Sequence, residues 1–278
     1  MWLLRIAVLV ALPVVGSMLF LGGCQRDALT GETVRAVAPP FYSGPEPLVI
    51  VDCFASGNLW NVTPNVEQPS FVLYGDGTAI VRRGTASPST YVRLQCDPEV
   101  VAGIVVSVDR MALESFDGQT LHTRTASDQG VDVLLVRRDD GTFITIALYG
   151  GWSELDPGDR GGVAIPEPIH RAFRAVAHLD VREATPWQPQ EYEVYFQGES
   201  YRASTPSVWP EEWPLPHRRS RDALWETSRI ANVSPSEVAA LLGRPDEYSP
   251  RSVRVGQTVQ SVRYRPVFPY EGSWRRLT

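Results

Sequence analysis

From residue 48 onward, the spacing of apolar positions alternates between a two-residue and a helical period. LVIVDCF (48–54) is a β-rich run. SFVLYGDGTAIVRR (70–83) places Asp76-Gly77 between two apolar runs, and VDVLLVRRDDGTFITIAL (131–148) does the same with Asp140-Gly141. Asp-Gly supplies the positive φ angles of a two-residue type I′ turn, so each segment is expected to fold as a hairpin. TYVRLQ (90–95) and EYEVYFQG (191–198) read as further strands.

Two stretches switch to the helical period. Asp97-Pro98-Glu99 opens the first: Asp caps, Pro fits the first helical position, and Glu favours the positive end of the dipole. Val101, Ile104, Val105, Val108, Met111 and Ala112 then form one apolar stripe. The second helix follows Pro166, with Ile169, Phe173 and Val176 inward. The expectation is an α+β domain over residues 48–200, an antiparallel sheet built from hairpins with two helices on one face. The Asp-Gly-Thr triplets recur 64 positions apart, each hairpin followed by a helix. A duplicated ββα unit and the chance recurrence of a common turn both account for that.

After Thr185 the pattern changes. Up to Pro216, Trp187, Trp209 and Trp213 alternate with six prolines. They read either as an aromatic platform for sugar rings or a peptide, or as a polyproline-like strap whose tryptophans dock on the domain surface. Residues 201–216 form the connector to a small C-terminal segment, 217–278. There SPSEVAALLGRP (234–245) holds a capping box from Ser234 to Glu237, Pro235 at the first helical position, Gly243 past the end and Pro245 beyond. A preceding helix, Ser220 to Ala231, and a following strand, VQSVRYRPVF (259–268), complete an ααβ piece.

The N-terminal pattern is of a third kind. Ile6 to Gly23 is eighteen residues without charge, with Arg5 the only charge before it, at the lower limit for a spanning helix. Pro13, Gly16 and the Gly22-Gly23 pair weaken it as a helix, while a positive start and an apolar middle describe a secretory signal. Leu21-Gly22-Gly23-Cys24 resembles the lipobox of bacterial lipoproteins: a branched apolar residue, two small residues, then the cysteine that takes the lipid. The resemblance implies removal of residues 1–23, acylation of Cys24, and a cell-envelope location on a membrane, facing outside the cytoplasm. An uncleaved anchor and ordinary signal cleavage are the alternatives. Residues 24–47, with four prolines, then read as a tether spanning roughly 25–30 Å as a random coil. PSFVLYGDGTAI (69–80), with the later Trp-Pro cluster, resembles a group of uncharacterised bacterial lipoproteins from GC-rich organisms, which implies no activity. SPSEVAALLGRPDEY (234–248), followed by an aromatic strand, is similar to the small two-helix, three-strand domain of outer-membrane assembly lipoproteins.

Composition removes whole chemistries. The chain has no lysine, which excludes a Walker-type phosphate loop, a Ser-x-x-Lys nucleophile and a Schiff base. Without residues 1–23 the net charge is −7, which argues against nucleic-acid binding. The charge is divided. Residues 217–278 hold 11 Arg against 6 acids, and residues 24–216 hold 14 Arg against 26. Either the basic segment packs on the acidic body, or it presents Arg to an anionic envelope polymer, a lipid head group or an acidic protein.

Catalytic patterns are missing. The histidines are His122, His170, His178 and His217, and the eight-residue spacing of His170 and His178 cannot clamp a metal as an i, i+4 pair would. No His-Glu-x-x-His, Gly-x-Ser-x-Gly or Cys-x-x-Cys occurs. Glu154, Asp156 and Asp159 gather in one loop, but their spacing fits no calcium loop and Arg160 sits among them. No metal or cofactor is expected. Cys53 and Cys96 are expected to form a disulfide in an oxidising compartment. The function expected is a non-catalytic binding or assembly role, with the membrane as partner through the lipid and an envelope protein or an anionic or glycan polymer as a second. The alternative is an envelope hydrolase with a dispersed site. A pocket joining His122, His170 or His178 to a Ser or carboxylate would mark the enzyme, and a groove lined by Trp187, Trp209 and Trp213 the binding protein.

Overall fold

The computed structural model describes residues 44–54, 68–83, 90–123, 130–152, 164–199, 205–218, 226–243 and 251–274. Cys24 and the Glu154–Asp159 loop lie outside the described residues. The fold class is α+β, with two mostly antiparallel sheets. β1 (Pro47–Phe54), β2 (Gln68–Tyr74), β3 (Thr78–Arg83), β4 (Thr90–Gln95), β5 (Gln119–His122), β6 (Val131–Arg137), β7 (Phe143–Tyr149) and β8 (Thr185–Pro186) build the first. Their order is β5-β7-β6-β1-β2-β3-β4-β8, and only the β5–β7 pair is parallel.

Helices α1 (Pro98–Ser107) and α3 (Glu167–Ala177) cover one face of this sheet. Alternate strand positions such as Val49, Val51, Phe71, Leu73, Ile144 and Ile146 meet Val101, Ile104, Ile169, Phe173 and Val176 there. The stripe expected to run to Ala112 breaks earlier. Asp109 takes φ +23 and its carboxylate accepts from the Ala112 backbone N–H at 3.3 Å, starting a separate turn, α2 (Arg110–Leu113). The kink turns Met111 out to 89% exposure and buries Leu113 in its place.

Both hairpins form, with a turn other than the one expected. Gly77 donates to the Tyr74 carbonyl and Gly141 to the Arg138 carbonyl, and positive φ is confined to Gly77 (+85) and Gly141 (+86). Each is a three-residue loop closed by a left-handed glycine. Asp76 and Asp140 instead use a carboxylate oxygen to accept from the N–H of Thr78 and Thr142, both at 2.9 Å.

The second sheet is made of β9 (Glu191–Glu199), β10 (Ser207–Val208), β11 (His217–Arg218), β12 (Glu226–Ala231), β13 (Arg251–Val255) and β14 (Thr258–Pro266), ordered β10-β13-β14-β9-β12-β11. β9, which the sequence pattern places at the end of the first domain, is central here, between β14 and β12. Residues 226–231, expected as the end of a helix, are a strand because β9 offers them a full antiparallel ladder. Residues 220–225 of that expected helix lie outside the described residues. Helix α4 (Pro235–Leu242) has the expected capping box at Ser234 and Glu237. It packs Val238 and Leu242 against Val194, Phe196, Trp209, Trp213 and Tyr264.

After β14 the chain returns to the first sheet. Phe268 and Trp274 are buried on the face opposite α1 and α3, against Ile50, Val72, Ile80, Tyr91 and Leu135. Cys96 is a buried free thiol, and among the described residues the expected Cys53–Cys96 bridge is not seen. Cys53, whose side chain lies outside the described residues, is on β1, with β2 and β3 between it and the end of β4. Three strand spacings are about 14 Å, against the roughly 4.4–6.8 Å between Cα atoms that a disulfide needs.

Candidate functional site

The face of the first sheet that Phe268 and Trp274 occupy is only partly covered. Beside them lies an open cavity of about 760 Å³. The β2–β3 hairpin contributes Tyr74, Asp76, Thr78 and Ile80 to it, and β4 contributes Arg93. Opposite walls come from residues 185–191, from residues 267–272, and from Arg229 on β12. Period-two alternation puts these side chains on one face: Ile80 is the register partner of Arg93, which in turn pairs with Thr185 on β8.

Aromatic rings form the apolar part. Trp187 stacks on Phe268 with centroids 4.9 Å apart and meets Tyr91 edge-on at 5.7 Å. Its backbone N–H donates to the Tyr91 carbonyl at 2.9 Å, fixing the strand end that carries it. Tyr270 takes a left-handed backbone (φ +58, ψ +16) and is 48% exposed at the cavity wall. Such a conformation in a non-glycine residue costs about 1–2 kcal/mol, so the surrounding contacts must hold it. Tyr74, whose ring lies 6.5 Å from that of Tyr270, donates its hydroxyl to the Pro269 carbonyl at 3.3 Å. Burial, then the negative charges of Glu271 and Asp76, push the Tyr74 hydroxyl far above its ordinary pKa and keep it protonated.

Beneath Tyr270 the segment is bolted down ionically. Arg265 on β14 reaches Glu193 of β9 and Glu271 of the returning chain, both at 2.5 Å. Its Nε donates to the Tyr195 hydroxyl at 3.0 Å, and that hydroxyl donates to Glu193 at 2.6 Å. Glu271 also accepts from the Phe268 backbone N–H at 3.0 Å. Burial works against the Arg265 charge, but Glu271, Tyr195 and Glu193 outweigh it and raise the guanidinium pKa. Two basic side chains of the C-terminal segment, Arg229 and Arg265, thus face acids of β9.

The cavity's own charges are unevenly partnered. Asp76 accepts from Thr78, Glu191 lies 3.7 Å from Arg229, and Glu271 is held by Arg265. Among the described residues the Arg93 guanidinium makes no hydrogen bond or ion pair, while its backbone carbonyl accepts from the Thr185 hydroxyl at 3.4 Å. The arrangement offers ring faces, hydroxyls and amides, and one guanidinium without a partner among the described residues.

Models of protein families, curated proteins and solved structures yield no match to the chain. The site therefore stands on its geometry.

Of the three tryptophans expected as a platform, only Trp187 lines the cavity. Trp209 and Trp213 are 5% and 8% exposed in the second core, edge to face with centroids 5.0 Å apart, so the three do not form a platform. The strap reading describes those two. The histidines are dispersed: His122 lies 5.2 Å from the Tyr149 ring, His170 on α3 lies 5.9 Å from the Trp152 ring, and His178 and His217 are exposed. Among the described residues none of them lines the cavity, and no group of three or more His, Cys, Asp and Glu could hold a metal. Arg93 and Tyr270 escaped sequence reasoning. Alternation in TYVRLQ does put Tyr91, Arg93 and Gln95 on one face, whereas nothing local marks Tyr270, whose place depends on the return of the chain.

Proposed function

We propose that this protein is a lipid-anchored component of a bacterial cell envelope, attached through Cys24, that binds a ligand in the cavity between the first sheet and the returning C-terminal segment. The lipobox-like Leu21-Gly22-Gly23-Cys24 supports the anchor. The observation that carries the binding role is the cavity itself. At about 760 Å³ it falls within the 300–1,000 Å³ typical of small-molecule sites, and it brings aromatic rings together with many polar and charged side chains. Tyr270 adds an exposed ring to that wall on a left-handed backbone, and such strain tends to collect at functional sites.

Metabolic labelling with palmitate tests the anchor. Label should appear on the wild-type chain and disappear in Cys24→Ala, with unprocessed precursor accumulating, because two or three acyl chains are needed for stable attachment. A wild-type chain that matures without label refutes the anchor. Tryptophan emission tests the binding role, since Trp187 lies in the wall. Saturable change on titration with soluble envelope fragments supports it, and indifference to glycan and peptide fragments alike refutes it.

A further inference from the structure

We infer that the cavity selects a glycan bearing a carboxylate, with Arg93 taking the carboxylate and Trp187 and Tyr270 the apolar faces of the sugar rings. This rests on the binding reading above and gives that site its ligand class. Glu191 and Glu271 of the cavity wall already have cationic partners and Asp76 accepts from the Thr78 N–H, whereas the Arg93 guanidinium has no partner among the described residues. An arginine fork matches a carboxylate in a bidentate, charge-assisted pair. The ligand's anionic group is thus placed at the β4 wall.

Thr78, Thr185, Gln188 and Gln190 add hydroxyls and amides around the rings, a mixture suited to ring hydroxyls with an apolar face between them. A peptide would instead seek a strand edge to extend. The edge beside the cavity is β8, two residues long and ending in Pro186, which has no N–H to donate. The adjacent residues 188–190 are not in a strand. Strand addition is blocked where the cavity opens.

The test uses the full chain purified in detergent and isothermal titration with three probes: digalacturonic acid, its uncharged methyl ester, and the acidic tetrapeptide Ala-Glu-Ala-Ala. Digalacturonic acid should bind most tightly, with affinity falling as salt rises. Arg93→Gln, at an exposed position, should weaken it roughly ten- to hundredfold while changing the methyl ester little. Tyr270→Gly keeps the left-handed backbone without strain and should weaken both sugars. If the methyl ester binds as well as the acid, or Arg93→Gln weakens both equally, the carboxylate inference is overturned and the cavity remains a binding site. A tetrapeptide that binds more tightly than either sugar overturns the glycan. No binding by any probe overturns the inference, while binding of some other envelope fragment in the emission assay would still leave the cavity a binding site.

Discussion

Arg265, with 1% of its side chain exposed, is held between Glu193 and Glu271, themselves buried. Replacing a buried ion pair wholesale with apolar groups can be neutral, but removing one partner strands the others. Arg265→Met should therefore lower stability by about 3–5 kcal/mol, read as a shift in the urea midpoint. Glu271→Gln, which keeps the shape and still accepts from Phe268, should do less. A different residue-scale effect appears at alkaline pH. Burial pushes the Tyr192 hydroxyl up to about 12 from its ordinary 10.0, and burial, then Glu271 and Asp76, raise Tyr74 further. The unfolded chain loses these protons near pH 10 while the native state keeps them, so the unfolded state binds fewer protons and stability falls as pH rises. It should decline between pH 10 and 12, and the slope there should lessen in Tyr192→Phe. An unchanged slope in that variant would place the titrating group elsewhere.

At the scale of elements, the two Asp-Gly-Thr hairpins share a turn but not its surroundings. A Cβ on Gly77 would lie 2.9 Å from the Cys96 carbonyl oxygen, which is backbone and cannot move aside. On Gly141 the nearest atom is a terminal nitrogen of Arg137 at 3.2 Å, on a flexible side chain. Both alanine variants carry the left-handed penalty of about 1–2 kcal/mol, and Gly77→Ala should lose measurably more, by chemical denaturation, than Gly141→Ala. Equal losses would show that the β3–β4 junction yields. The hairpins were legible because Asp-Gly is a local signal, although the turn type was not: Asp76 and Asp140 act through their carboxylates, which a count of positive φ angles does not capture. α4 was legible for the same reason, its capping box being complete in four consecutive residues. β12 was not, because ETSRIA becomes a strand only through Arg229, Thr227 and their neighbours pairing across to β9, about thirty-five residues earlier.

For the whole molecule, the decisive contact is the return of residues 267–274 to the first sheet. Trp274 is fully buried there, so Trp274→Ala should lose about 3–5 kcal/mol. Because one segment completes the core of the first sheet while Arg265 and Glu193 tie it to the second, the two sheets should melt together. Calorimetry of the wild type should show one transition, and two resolved transitions would mean that the return contributes little. The candidate site inherits this long-range origin: Arg93 could be placed on its face from TYVRLQ, but the wall opposite exists only once the C-terminal segment has folded back, so no local pattern announces it. That return also has a bearing on the order of events at synthesis. Strands β1 to β7 are all in place by residue 149, yet apart from Trp187 the large apolar side chains that cover their outer face, Phe268 and Trp274, arrive more than a hundred residues later. A chain emerging from its N-terminus carries that apolar face largely open through nearly half of its elongation, so a nascent chain stalled before residue 268 is the form most exposed to chaperone capture and to proteolysis.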